Sequence, residues 1–105
     1  MENRKKLVIE AIENKRDLIC EVADRIWDYA ELSLQEEKSA ALYCEILERE
    51  GFQVERGTAR IATAFTASFG QERPHIGILA EYDALSGLSQ KGGSLRQEEL
   101  TPGGN

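Results

Sequence analysis

Several features are scarce in this chain, and the scarcity of basic clusters and of long apolar runs excludes two classes of partner. The 105 residues include one histidine, one tryptophan and two cysteines, and the net charge is −6. Nucleic acid is not expected as a partner, because the one dense basic cluster, Arg4–Lys6, is diluted by neighbouring glutamates. No apolar run approaches the roughly 20 residues of a membrane-spanning helix, so no membrane partner is expected.

The two cysteines indicate the redox compartment. Cys20 and Cys44 lie far apart in the sequence and show no metal-type spacing. Free thiols are typical of the cytoplasm, where disulfides are rare. We therefore predict a cytoplasmic protein, with a disulfide between the two residues as the alternative.

Apolar spacing predicts two helices in the first half of the chain. Over residues 3–32, apolar side chains recur every three or four positions, with a polar interruption at 14–17 where a bend is expected. Trp27 widens this stripe and is interpreted as core packing. A second helix is predicted over 34–50, with Ser33 and Glu36 as a capping box and Gly51 as the left-handed C-terminal cap.

Three strands are predicted after the helices. Residues 52–56 and 61–69 alternate in side-chain character, whereas Ile76–Ala80 is a continuous apolar run, typical of a strand buried on both faces of a parallel sheet. Residues 86–105 hold five of the nine glycines and are predicted to be a loop or a disordered segment. The order indicates an α/β fold that is incomplete as a domain, because the last strand lacks a partner on one side.

Two carboxylates directly follow the last predicted strand. On an extended chain Glu81 and Asp83 project to the same side, roughly 6–7 Å apart. Open α/β sheets place ligand sites beyond the C-terminal ends of their strands, which favours a functional role. Two alternatives stay open: the pair caps a turn, or it is an acid/base pair with the roughly 6.5–9.5 Å spacing of inverting glycosidases.

Five short blocks within residues 5–90 carry a resemblance to a known family. They are Ile26–Leu32; Glu36-Glu37 with Ser39-Ala40; Gly51-Phe52 with Val54; Thr63–Ala67; and Gly77–Leu85 with Gly87–Gln90. The last block is the most specific of them. Together they resemble the zinc-dependent metallopeptidase and amidohydrolase family of the aminoacylases and carboxypeptidase G.

This resemblance implies both a fold and a reaction. The implied fold is an α/β/α sandwich, of which residues 1–105 would be the N-terminal portion of the catalytic domain. The implied reaction is hydrolysis of an amide bond in a small-molecule substrate, such as an N-acyl amino acid or a dipeptide-like compound. Water would be activated at a two-metal site of zinc or manganese, with a glutamate as general base.

Only two residues match the family's functional positions. Asp83 matches the aspartate of its His-x-Asp motif, which orients a metal ligand from behind, and Glu81 stands at the histidine position, as an acidic residue does in the aminohydrolase branch. Both are therefore predicted to support catalysis without binding metal. The family's metal ligands follow a glycine-rich stretch, and they are expected to begin about where this chain reaches Asn105. With His75 at the opposite end of its strand, no metal or other cofactor is expected on this chain alone.

Two functions follow as alternatives. The chain is part of a metal-dependent amidohydrolase, or it is a truncated, non-catalytic paralogue that acts as an interaction module or has no function. In either case the unpaired last strand predicts self-association into homo-oligomers through an exposed edge.

Overall fold

The computed structural model describes residues 2–105, which combine three helices with one two-stranded antiparallel sheet. The elements are α1 (Glu2–Asn14), α2 (Arg16–Tyr29), α3 (Glu37–Arg49), β1 (Gln53–Arg56), a short 3-10 helix (Thr58–Arg60) and β2 (Phe65–Ser68). The predicted mixed α/β class is confirmed, although the number of helices and strands differs from the prediction. None of these helices is long and apolar enough to cross a membrane.

The single helix predicted over 3–32 is two helices, separated at the predicted bend. Lys15 has φ −100° and ψ 3°, outside the helical range, and its ammonium group lies 2.6 Å from the Glu50 carboxylate at the end of α3. Every residue of α1 is exposed, whereas Leu18, Val22 and Ile26 of α2 are half-buried. The polar run at 14–17 therefore marks the point where the chain leaves the packed part of the molecule.

The start of α3 differs from the predicted capping box. Leu34 adopts a left-handed φ of 66°, so the chain turns after Ser33 and the helix begins three residues later than predicted. The first amides of α3 instead donate to a residue that lies before the helix in the sequence. The Glu31 carboxylate accepts the N–H of Lys38 at 3.0 Å and that of Ser39 at 2.7 Å. The capping-box prediction is wrong, because the helix begins at Glu37 and its first amides bond to the Glu31 carboxylate instead of to Ser33.

The end of α3 agrees with its prediction. Gly51 has φ 94°, the Phe52 N–H donates to the Leu47 carbonyl at 2.9 Å, and the Gly51 N–H donates to the Glu48 carbonyl at 3.1 Å. This pair of hydrogen bonds is the Schellman motif. It directs the chain from α3 into β1.

The two strands form a hairpin against α3. β1 matches the prediction, and Val54 lies opposite Ala67 in the antiparallel register. β2 is shorter than the predicted 61–69, because residues 61–64 form a turn in which the Ala64 N–H donates to the Ile61 carbonyl at 3.0 Å. The buried apolar core is small and lies on α3: it comprises Ala40, Leu42 and Cys44.

The third predicted strand is absent. Ile76, Ile78 and Leu79 are 85%, 91% and 93% exposed, and residues 75–83 are free of helix, turn and bend. No backbone–backbone hydrogen bond within residues 2–105 reaches this stretch before Ala84. The prediction of a buried parallel strand is therefore wrong here, because the hairpin is antiparallel and no described strand lies beside Ile76–Ala80 to complete a ladder.

Residues 86–105 contain no helix or strand, but hydrogen bonds hold them together. The Ser89 N–H donates to the Gly104 carbonyl at 3.0 Å, and the Lys91 N–H donates to the Glu98 carbonyl at 2.8 Å. The Gln90 side chain donates to the Arg96 carbonyl at 2.8 Å. The segment thus folds back on itself beside α2.

Candidate functional site

The segment around Asp83 is held at both ends. On one side, the Tyr82 ring packs against Tyr43 and Phe65, with centroids 5.3 and 6.0 Å away, and its hydroxyl donates to the Thr63 carbonyl. On the other side, the Ala84 N–H donates to the Glu31 carbonyl at 2.7 Å, beside an isolated parallel bridge between residues 32 and 84. These contacts position Asp83 even though the residues before it are unpaired.

A cavity of about 500 Å³ lies between α2 and this segment. Its lining is mainly apolar and aromatic, and it includes Ile26, Trp27, Tyr43, Tyr82, Asp83 and Gln90. The Trp27 indole N–H donates to the Gln90 carbonyl at 2.9 Å, which joins α2 to the C-terminal segment. The hollow is open to solvent on one side, and its lining is mostly apolar with a few polar groups.

The structure places only one of the two predicted site residues at the cavity. Asp83 and Glu81 are both exposed, but Asp83 lines the cavity and Glu81 does not. The side chain between them, Tyr82, turns inward and forms part of the cavity wall. The supporting catalytic role of Asp83 and Glu81 stays a prediction, with Asp83 now next to a hollow that a ligand can enter.

Two residues important to this region are not identified by the sequence patterns. The interpretation of Trp27 as core packing is wrong: Trp27 is 53% exposed and forms a cavity wall, because the apolar stripe of α2 is only partly covered. Glu31 lies just past the end of α2, and no local spacing pattern links it to the amides of Lys38 and Ser39. The contact depends on how α2 and α3 pack.

Burial and hydrogen bonding shift three pKa values near the site. Burial alone would raise the pKa of Glu31, but the amides of Lys38 and Ser39 outweigh it and hold that pKa below its ordinary value of 4.5. Burial raises the pKa of Tyr82, and the nearby Glu36 carboxylate adds to the effect, so its hydroxyl stays a hydrogen-bond donor. Burial also raises the pKa of Cys44.

The described residues do not fit a catalytic metal. Within residues 2–105, no three side chains of histidine, cysteine, aspartate or glutamate lie close enough together to hold a metal ion. A catalytic zinc takes about three such ligands. The zinc or manganese site implied by the family resemblance is therefore not formed by this part of the chain, and no catalytic step is assigned to a metal here.

Over nearly its whole length, the chain is similar to part of a known hydrolase. The relative is a subunit of p-aminobenzoyl-glutamate hydrolase, the one designated B, from Escherichia coli (strain K12). The two are 44% identical over 100 residues, or 95% of this chain. The resemblance to a hydrolase that the sequence blocks predict is therefore confirmed. No protein-family model and no solved structure matches the chain.

The chain spans about a fifth of that relative, since the matched residues make up 21% of the relative's length. The matched region includes almost every element described above, from α1 to the C-terminal loop.

Proposed function

We propose that this chain provides part of the catalytic domain of a metal-dependent amidohydrolase. Its substrate class is amides of N-acyl amino acids or compounds like p-aminobenzoyl-glutamate. The observation that carries the proposal is the 44% identity over 100 residues to the E. coli p-aminobenzoyl-glutamate hydrolase. Zinc or manganese would be bound by residues outside the described range, because no ligand cluster exists within residues 2–105.

The cavity beside Asp83 supports this proposal. It is large enough for a small amide and has aromatic walls in Trp27, Tyr43 and Tyr82. Among the described residues, Asp83 is the one charged group in its lining, and Tyr82 fixes its position. In the complete site we assign Asp83 to orienting a neighbouring ligand or loop, and Glu81 to a supporting position outside the cavity lining.

The decisive experiment is a chimera. The 100 matched residues of the E. coli relative are replaced by the corresponding residues of this chain, and hydrolysis of p-aminobenzoyl-glutamate is assayed with and without a chelator. We expect chelator-sensitive activity from the chimera and none from isolated residues 1–105. A folded chimera without activity, or an isolated chain with chelator-sensitive activity, contradicts the proposal.

The role of Asp83 is tested in the same chimera. Asp83→Asn keeps the shape and removes the charge, so we expect turnover to fall about 10–100-fold while metal content is retained, as for groups that orient a ligand without binding metal. Glu81→Gln, at the second predicted supporting residue, is expected to have an equal or milder effect. Normal turnover with a lowered melting temperature leaves Asp83 as a structural turn residue only.

One observation favours the non-catalytic alternative, an interaction module. The apolar stretch Ile76–Ala80 is exposed, as a surface for another chain would be. Under this alternative the chimera is inactive, but the chain still associates with itself or with a partner. The proposed compartment is the cytoplasm in both cases, supported by the two free thiols Cys20 and Cys44.

A further inference from the structure

Three hydrogen bonds join the end of α2 to the chain that follows Asp83. Ala30 ends the helix in a left-handed conformation with φ 44°, and carbonyls at a helix end have no partner within the helix, so they are free to accept other donors. The three bonds are Glu31 C=O with the Ala84 N–H at 2.7 Å, Ala30 C=O with the Asn105 side-chain amide at 3.0 Å, and the Trp27 indole N–H with the Gln90 C=O at 2.9 Å.

The C-terminal loop, residues 89–105, is closed by hydrogen bonds of its own. The Gln90 side chain donates to the Arg96 carbonyl at 2.8 Å and accepts the Glu98 N–H at 2.9 Å. Ser89 is only 7% exposed, and its hydroxyl accepts the Thr101 N–H at 3.0 Å. Within residues 2–105, hydrogen bonds attach this loop to the remainder of the chain only at Trp27 and Ala30. The loop is therefore an internally linked unit that is docked on α2 at two points.

The docked loop forms one wall of the cavity. Gln90 and Asn105, the two loop residues bonded to α2, line the cavity together with Asp83. Trp27 contacts the loop through its ring as well as its N–H, because a Cβ placed on Gly92 would lie 3.5 Å from the indole. A change at Trp27 is therefore transmitted to this wall.

We infer that Trp27 is a positioning residue of the proposed amidohydrolase site: through the Gln90 carbonyl it holds the C-terminal loop as a wall of the cavity beside Asp83. The inference rests on the proposed function. A wall that holds the substrate and the transition state equally well affects KM and leaves kcat unchanged. Trp27 therefore differs from Asp83, whose loss is expected to lower turnover.

Docking of the loop is tested on the chain itself by amide hydrogen exchange. Trp27 is the one tryptophan in the sequence, so β-(3-benzothienyl)alanine, which has sulfur in place of the indole N–H, replaces it alone. We expect the amides of Ser89 and Lys91 to exchange about fivefold faster, the effect of losing one typical hydrogen bond. The bonded amides of Phe52 and Ala64 report on the rest of the fold and should keep their rates. Unchanged exchange at Ser89 and Lys91 overturns the inference.

The effect on the site is tested by steady-state kinetics of the chimera. Trp27→Phe keeps an aromatic ring and removes the N–H, so we expect KM to rise about fivefold while kcat changes by less than about twofold. Tyr29→Phe is the matched control on α2, because its hydroxyl accepts from Arg25 and does not contact the loop. An unchanged KM, a fall in kcat, or an equal rise of KM in the control overturns the inference.

A double variant separates positioning through the loop from direct contact with the substrate. Gln90→Ala removes the side chain that links the loop internally, so it is expected to raise KM about as much as Trp27→Phe does. If Trp27 acts through the loop, the double variant has the KM of Gln90→Ala alone, within about twofold. A KM increase equal to the product of the two single effects means that Trp27 acts on the substrate directly, and it overturns the inference.

The two assays also separate this inference from the proposed function. An unmodified chimera that is folded but inactive overturns the proposed function, whereas the exchange experiment still decides whether Trp27 positions the loop. An active chimera with unchanged exchange in the chain overturns the inference alone. Circular dichroism of each variant shows whether it is folded.

Discussion

At the scale of single residues, Glu31 connects three parts of the molecule. Its carboxylate caps α3 through the amides of Lys38 and Ser39, and its carbonyl receives the Ala84 N–H. One residue therefore ties the end of α2 to the start of α3 and to the segment that carries Asp83. A change at Glu31 is expected to affect the fold and the cavity together.

Replacing Glu31 with glutamine tests this cap. Because an amide accepts fewer hydrogen bonds and turns its NH₂ group toward the helix amides, we expect Glu31→Gln to lower the free energy of unfolding by about 1 kcal/mol at neutral pH. Urea denaturation measures the loss. Ser33→Ala should change stability by less than about 0.5 kcal/mol, since the structure gives Ser33 no capping role.

The same contact has a defined pH dependence. The folded-state pKa of Glu31 lies below its ordinary value of 4.5, so its stabilisation is fully present above pH 4.5 and is lost as the pH falls through the lowered folded-state pKa. We therefore expect the stability difference between the unmodified chain and Glu31→Gln to shrink in acid. A difference that stays constant from neutral pH down to about pH 3 contradicts this assignment.

Gly51 is the second residue with a structural requirement of its own. Its φ of 94° is strained for any residue with a Cβ, although a Cβ there would meet only the Phe69 ring at 3.6 Å. We expect Gly51→Ala to lower the free energy of unfolding by about 1–2 kcal/mol. Gly77→Ala is the control, because Gly77 lacks a positive φ and has open space around it; an equal loss from both variants contradicts the prediction.

At the scale of elements, α3 and the hairpin form the platform on which the site is built. α3 carries the buried core residues and ends in the Schellman turn that leads into β1. Tyr43 of α3 and Phe65 of β2 receive the Tyr82 ring. The position of Asp83 therefore depends on aromatic packing against the platform rather than on a strand ladder.

Removing the Tyr82 hydroxyl tests this anchor. Tyr82→Phe keeps the ring contacts but loses the hydrogen bond to the Thr63 carbonyl, so we expect about 1 kcal/mol lower stability. Deuterium exchange should also become faster around residue 84, where the Ala84 amide is bonded. Tyr29→Phe is the matched control, because it removes a hydroxyl that accepts from the exposed Arg25 side chain; equal effects of both variants would refute the anchoring role.

At the scale of the whole molecule, the exposed apolar surface is large for the size of the core. Val8 and Ile12 on α1 are more than half exposed, as are Ile78 and Leu88 farther along the chain. Surfaces of this kind mark contacts with other protein. The proposed place of this chain within a larger hydrolase domain accounts for this exposed apolar surface.

The sequence alone determined the features that depend on nearby residues. Periodicity located α2 and α3, the polar run at 14–17 located the break between α1 and α2, and Gly51 marked the end of α3. Alternation located the hairpin strands. These features are predictable because each depends on contacts within a few residues of the chain.

Only the tertiary structure decided the features that need a distant partner. The start of α3 is capped by Glu31 and not by the predicted Ser33, because the packing of α2 brings the Glu31 carboxylate to the first amides of α3. Ile76–Ala80 stayed unpaired because an apolar run becomes a strand only when a neighbouring backbone completes its hydrogen bonds, and no described segment does so. Asp83 was identified from its sequence neighbours, but its place beside a cavity depends on Tyr82 packing against residues about 20 and 40 positions away.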